Sequence, residues 1–222
     1  THCGAAFPRR SSAMDQPTQA AAPTTPFADP TPLGLFGLAI GCAALVPIAF
    51  GVGLTPAGLR TAAMFCLLFG CGGQALAGLM ALANKNALGG TLFTTFAFNW
   101  AMNGWALLGL AEGKAPDPSI VLSVDCAFLL VFVVLAYAFA FHSKLLFVFL
   151  LDIVVLYAAR IARELLHAPA LGLVVAACTV LLAAISLWIA FAILVNPTAG
   201  RAVFAMPGPL LHPRTPGAAP PP

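Results

Sequence analysis

Six long apolar runs separated by short polar breaks dominate the chain, at about 33–54, 57–82, 90–111, 119–141, 144–166 and 169–195. A helix needs about 20 apolar residues to cross roughly 30 Å of hydrocarbon, and each run supplies them. The stretch Phe128-Leu129-Leu130-Val131-Phe132-Val133-Val134-Leu135 has no apolar–polar alternation. Strands of an outer-membrane barrel alternate over segments of about ten residues, so the pattern predicts helices. The fold class expected is therefore all-α, a polytopic membrane protein with six transmembrane helices. Pro47 inside the first run predicts a kink or break there. Flanking composition divides the chain into a tail over 1–31, a six-helix domain over 32–206 and a Pro-rich tail over 207–222. The segment ahead of Met14 lacks the apolar centre of a secretory signal and is assigned no function.

Composition sharpens this picture by exclusion. Of 222 residues 61% are hydrophobic and 8% charged, with a mean hydropathy of +0.98; soluble domains carry about 25% charge. A soluble enzyme and a disordered protein are both excluded. Ten Lys and Arg against seven Asp and Glu form no basic stripe, which excludes a nucleic-acid partner and leaves the lipid bilayer. Cys42, Cys66, Cys71, Cys126 and Cys178 lie inside apolar runs, where a thiol behaves as a small hydrophobe. Cys66 and Cys71 fall on different sides of a helix, and Glu164 with His167 forms a single i, i+3 pair without a second, so neither metal nor cofactor is expected. Nucleophile-elbow, zinc-protease and phosphate-loop patterns are missing, and no enzymatic activity is expected.

An even number of spans puts both tails on one side together with the second and fourth turns. That side carries Arg9, Arg10, Lys85, Lys144, Arg201 and Arg214, against Arg60, Lys114 and Arg163 opposite. The positive-inside rule then predicts cytoplasmic termini in a plasma (inner) membrane. Gly34, Gly37 and Gly41, and Gly70, Gly73, Ala77 and Gly78, recur at helix-packing spacing. Such faces admit close backbone approach, either within one bundle or toward a pore or another subunit.

Counting from the turns near residues 86 and 143 puts Gln74, Asn99 and Asp152 at one depth, near the bilayer midplane. A mid-membrane Asp costs about 2.5–3.5 kcal/mol on insertion scales, tolerable where it faces protein, water or a partner. Two readings stay open: interhelical hydrogen bonding among the three, or the polar lining of a transport pathway. Asp125 and Arg160 also share a depth, which predicts an ion pair. It either neutralises charge or belongs to a vestibule in which Arg160 and Arg163 attract anions, blunted by Glu164.

The run Asp29-Pro30-Thr31-Pro32-Leu33-Gly34-Leu35-Phe36-Gly37-Leu38 resembles the Asn-Pro-Ala-Pro-Leu-Gly-Leu-x-Gly-Phe signature of the acetate uptake transporter family. The likeness continues through Gly70–Gly78, Thr91–Trp100 and Asn196–Pro209, covering roughly 29–210. The resemblance implies a homo-hexamer whose protomers each hold a pathway for acetate and related small carboxylates, succinate included, by channel or proton-symport action. It places family-motif residues at Asp29, Pro30, Pro32 and Gly34. A family constriction of Phe, Tyr and Leu carries over to Leu38, Phe96 and, to within about one residue, Asp152. All three depart from the pattern, Phe96 losing a hydroxyl and Asp152 adding a charge that repels anions when ionised. Two alternatives follow: a non-transporting structural or sensory protein of the same fold, or a pathway for a neutral or cationic solute.

Overall fold

The computed structural model describes residues 25–213. Segments 1–24 and 214–222, with Cys3, Arg9, Arg10, Arg214 and much of both expected tails, lie outside the described residues. Within them the chain is helical, without strands. The helices are α1 (Thr31–Ala49), α2 (Pro56–Phe65), α3 (Gln74–Ala83), α4 (Ala87–Ala111), α5 (Pro118–Phe139), α6 (Lys144–Leu165) and α7 (Leu171–Ala199). A π-helical segment, Cys66–Gly73, joins α2 and α3, so that they form one rod across 56–83. Six rods result, matching the six apolar runs to within a few residues at most ends.

Short polar side chains set the boundaries by accepting the amide hydrogens that a helix start leaves unpaired. Thr55 Oγ1 accepts from the Gly58 amide, Asn86 Oδ1 from Gly89 and Ser143 Oγ from Leu145. Asp117 Oδ1 accepts from the amides of Ser119 and Ile120, with Pro118 filling the first helical position. The Ser119 hydroxyl and then the Ile120 amide hold the Asp117 carboxyl below its ordinary range. Helix α1 continues through Pro47 for two residues and ends at Ala49. Gly51 and Gly53 follow at φ +76° and +72°, so the proline terminates this helix instead of dividing it.

Five rods are long and apolar enough to cross a membrane. The sixth, α4, spans 25 residues, about 37 Å, but Thr91, Thr94, Thr95, Asn99 and Asn103 make it the more polar one. Many large apolar side chains point outward, among them Leu68, Leu79, Phe98, Leu130, Tyr137 and Leu173. An outer surface of this kind suits lipid, and the protein is a multi-pass membrane protein.

The rods close into a ring. Around it α5 packs on α6, α6 on α7, α7 on α1, α1 on the α2–π–α3 rod, and that rod on α4. The last seam, α4 to α5, is made by side chains: Phe96 and Phe132 pack with tilted rings, centroids 4.8 Å apart. Gly37 and Gly73 let α1 and the second rod approach closely, since a Cβ built on either lies 3.3 Å from the other's Cα. Trp100 is wedged between Gly41 and Gly70. These glycines therefore serve packing inside one bundle.

Both described ends of the chain return to the same face of the ring. Asn84, in the α3–α4 turn, donates to the Phe27 carbonyl and accepts from the Phe27 amide, each at 3.0 Å. Residues 207–211 are fastened to the α5–α6 turn by Ser143 Oγ donating to Pro207 O and by the Leu210 and Leu211 amides donating to Ala140 O. Between α7 and that anchor, Asn196 folds the chain back, accepting from Val203 and Phe204 and donating to Phe204 O. Asn196→Ala removes three hydrogen bonds worth about 1 kcal/mol each. Loss of about 2–4 kcal/mol of stability is expected, read as a lowered unfolding midpoint in detergent; an unchanged midpoint would show that the return segment holds itself.

Candidate functional site

One face of each of four helices points to the ring's interior. On α1 the stripe is Thr31, Leu35, Leu38, Cys42 and Leu45; on α6 it is Leu146, Phe149, Ile153, Leu156, Tyr157 and Arg160. Spacings of three, four and seven residues keep each stripe on one side of its helix. Helices α4 and α7 contribute in the same way, through Leu92, Phe96, Asn99 and Asn103, and through Ile189, Leu182 and Thr179.

These stripes enclose two cavities in line. The tail-side cavity, about 400 Å³, is lined by Thr31, Leu35, Asn86, Phe93, His142 and Ile189 among others. The far-side cavity, about 170 Å³, is lined mainly by α1, α4, α6 and α7, and reaches from Phe96 and Ile153 to Ala49, Asn103 and Arg160. Leu38, with 0% exposure, lies on α1 between the residues that line one cavity and those that line the other. Leu150, also fully buried, holds the corresponding place on α6, and Ile185 and Ser186 hold it on α7. Phe132 and Tyr157 back this layer, stacked with centroids 5.5 Å apart. The interior is thus two chambers with an apolar neck between them.

Polar groups gather on the far-side chamber. Arg160 Nε donates to Asp125 Oδ2 at 2.9 Å, so the ion pair expected from depth is formed, with Asp125 buried and Arg160 one quarter exposed. The guanidinium also lies over the Tyr157 ring, 5.5 Å from its centroid. Nε is the atom engaged, and among the described residues no hydrogen bond is made by the terminal nitrogens of Arg160. The Trp100 ring lines the same chamber, but its indole N–H is buried out of reach of a water-sized group and has no partner among the described residues. Asn103 donates to both the carbonyl and the side-chain oxygen of Asn99, and the Asn99 side chain lies beside the Tyr157 hydroxyl. The chamber therefore sets the Arg160 guanidinium and the Asn99 side chain above an apolar floor, a lining suited to an anionic group.

The remaining sequence-derived residues fall as follows. Asn99 and Arg160 line the far-side chamber, and Phe96 closes its narrow end beside Phe132. Asp152 is buried at the α6–α7 seam beside the Cys178 thiol, lines neither chamber, and has an unpartnered Oδ2. Gln74 is fully buried with both amide atoms unpartnered and lines neither chamber. No hydrogen bond joins Gln74, Asn99 and Asp152 among the described residues. Arg163 is exposed and shares an outer cleft with Asp125, Arg160 and Glu164. Asp29 ties down the start of α1, its Oδ1 accepting from the Thr31 amide and hydroxyl; Pro30 and Pro32 are buried. Gly34 faces Phe93, whose ring would lie 2.6 Å from an added Cβ.

Sequence reasoning missed Leu150 and Trp100. The α6 stripe at 146, 149, 153, 156, 157 and 160 was the available signal for Leu150. It puts position 150 toward the interior and position 152 on the neighbouring face. Trp100 reads from sequence as packing, and only the structure puts its ring on the chamber wall.

Neither a protein-family profile nor a curated relative matches the chain. Among solved structures, that of the bacterial acetate channel SatP is similar, with a TM-score of 0.73 at 21% sequence identity. The alignment covers 81% of this chain and 99% of that one. The chain shares that protein's fold.

Proposed function

We propose that this protein is a transmembrane pathway for acetate and related small carboxylates, running through the two chambers and the neck between them. The observation that carries the reading is the pairing of this fold with an interior chamber whose one cationic side chain, Arg160, keeps its terminal nitrogens free of hydrogen bonds among the described residues. A carboxylate entering the far-side chamber meets the Arg160 guanidinium and the Asn99 side chain, and Arg163 outside adds to the attracting field. It then loses water at a neck formed by Leu38, Phe96 and Leu150. Channel action and proton symport both fit this route. A homo-hexamer in the plasma membrane with cytoplasmic tails belongs to the same proposal, supported by the family resemblance and by Lys85, Lys144 and Arg201 on the tail side.

The test is uptake of radiolabelled acetate into proteoliposomes at acidic and neutral pH, with diffusion into empty liposomes subtracted. Saturable, protein-dependent uptake is expected; uptake equal to empty liposomes at both pH values would overturn the reading. Asp152→Asn refines it. Because this carboxyl lines neither chamber, the substitution is expected to leave acetate flux nearly unchanged, whereas a change of about tenfold, about 1.4 kcal/mol in barrier, would put Asp152 on the pathway.

A further inference from the structure

We propose that the far-side chamber is a binding subsite for unbranched monocarboxylates with an apolar tail of about three or four carbons. The inference rests on the carboxylate reading above and adds the class of substrate the chamber holds best. Its volume of about 170 Å³ has room for roughly five or six water-sized groups, and acetate fills little of it. The donors Arg160 and Asn99 come from α6 and α4. The rest of the wall is mainly apolar, built by Leu45, Ile48, Leu156, Val175 and Leu182, and the polar Asn103 and Thr179 within it already donate to Asn99 and to Val175 O. A carboxylate held by the free guanidinium edge therefore leaves its tail against hydrocarbon. A dicarboxylate such as succinate would bury its second charge among those aliphatic side chains without a donor, which is strongly unfavourable.

Asp125 acts as a positioning residue. By engaging Nε it fixes the guanidinium plane over Tyr157 and leaves the two terminal nitrogens for a bidentate carboxylate. Each methylene added to the tail should tighten binding about threefold to fourfold until the chamber is full, as burial of one CH₂ predicts.

The experiment uses full-length protein in two readouts. Competition against radiolabelled acetate uptake is measured with propionate, butyrate, pentanoate, octanoate and succinate. Binding is read separately from quenching of tryptophan fluorescence, with Trp100→Phe removing the signal. The expected result is affinity rising stepwise to butyrate or pentanoate and falling at octanoate, with succinate weaker than butyrate. Arg160→Gln should weaken every monocarboxylate at least tenfold while keeping the ordering of tails. Since that variant strands the Asp125 carboxylate, Asp125→Asn/Arg160→Gln is the companion that removes the anchor without leaving a buried charge. A flat chain-length series alongside saturable acetate uptake would overturn the inference and leave the carboxylate reading standing. Unaltered affinity in the folded double variant would overturn Arg160 as the anchor. No binding and no uptake of any carboxylate would overturn both.

Discussion

Leu38→Ala is expected to raise acetate flux about tenfold while lowering stability by about 2–5 kcal/mol. The two effects have one origin. Leu38 is completely buried and stands on α1 between Leu35, which lines the tail-side chamber, and Cys42, which lines the other. On the proposed route its isobutyl group fills space that a permeating ion would cross, and truncation leaves that space empty. Lowering the neck barrier by about 1.4 kcal/mol is enough for a tenfold gain. Leu45→Ala is the control. Leu45 lies on the same stripe but against the wide part of the far-side chamber, so its truncation should cost stability without raising flux. The pair is scored by proteoliposome uptake and by unfolding midpoints in the same detergent. If Leu38→Ala destabilises like Leu45→Ala yet conducts like the parent, the neck at Leu38 is not on the route.

How far the sequence alone reaches is seen by comparing α6 with the glycine faces. Six apolar runs and the polar turns between them placed every rod, because hydrophobic length and local capping are properties of contiguous residues. The depth count also paired Asp125 with Arg160 across 35 positions, since two antiparallel helices joined by a short turn have a fixed vertical register. Azimuth was the part not legible. Asp152, Gln74 and Asn99 share a depth, but they face different directions around their helices. Of the three only Asn99 reaches a chamber. Rotation about a helix axis in a membrane is set by packing against neighbours, and the outer face is as apolar as the inner one, so hydrophobicity leaves little trace of it. The π segment added a further shift, altering the azimuth of everything in α3 relative to α2.

Gly37 supplies the second large effect, and it bears on that same packing. A Cβ built at Gly37 would sit 2.5 Å from the Phe69 carbonyl oxygen and 3.3 Å from the Gly73 Cα. Both atoms are backbone, held in the π segment of the neighbouring rod, so neither can turn aside as a side chain would. Gly37→Val is therefore expected to push α1 away from that rod, at a cost above the usual 1–3 kcal/mol of overpacking. Loss of monodisperse folded protein on size-exclusion chromatography is the expected readout. Gly34→Ala should be milder, because the obstructing atoms belong to the Phe93 ring, which can rotate. Gly72→Ala should be tolerated, since its nearest obstacle is the Leu67 carbonyl oxygen at 3.6 Å. This ordering, with Gly37 worst, Gly34 intermediate and Gly72 near parent, follows from which atom each new methyl meets. Equal tolerance at all three would mean that α1 and the second rod stand further apart than the Gly37–Gly73 contact requires. The neck that Leu38 fills would then be wider, because Leu38 follows Gly37 directly on the helix that this contact positions.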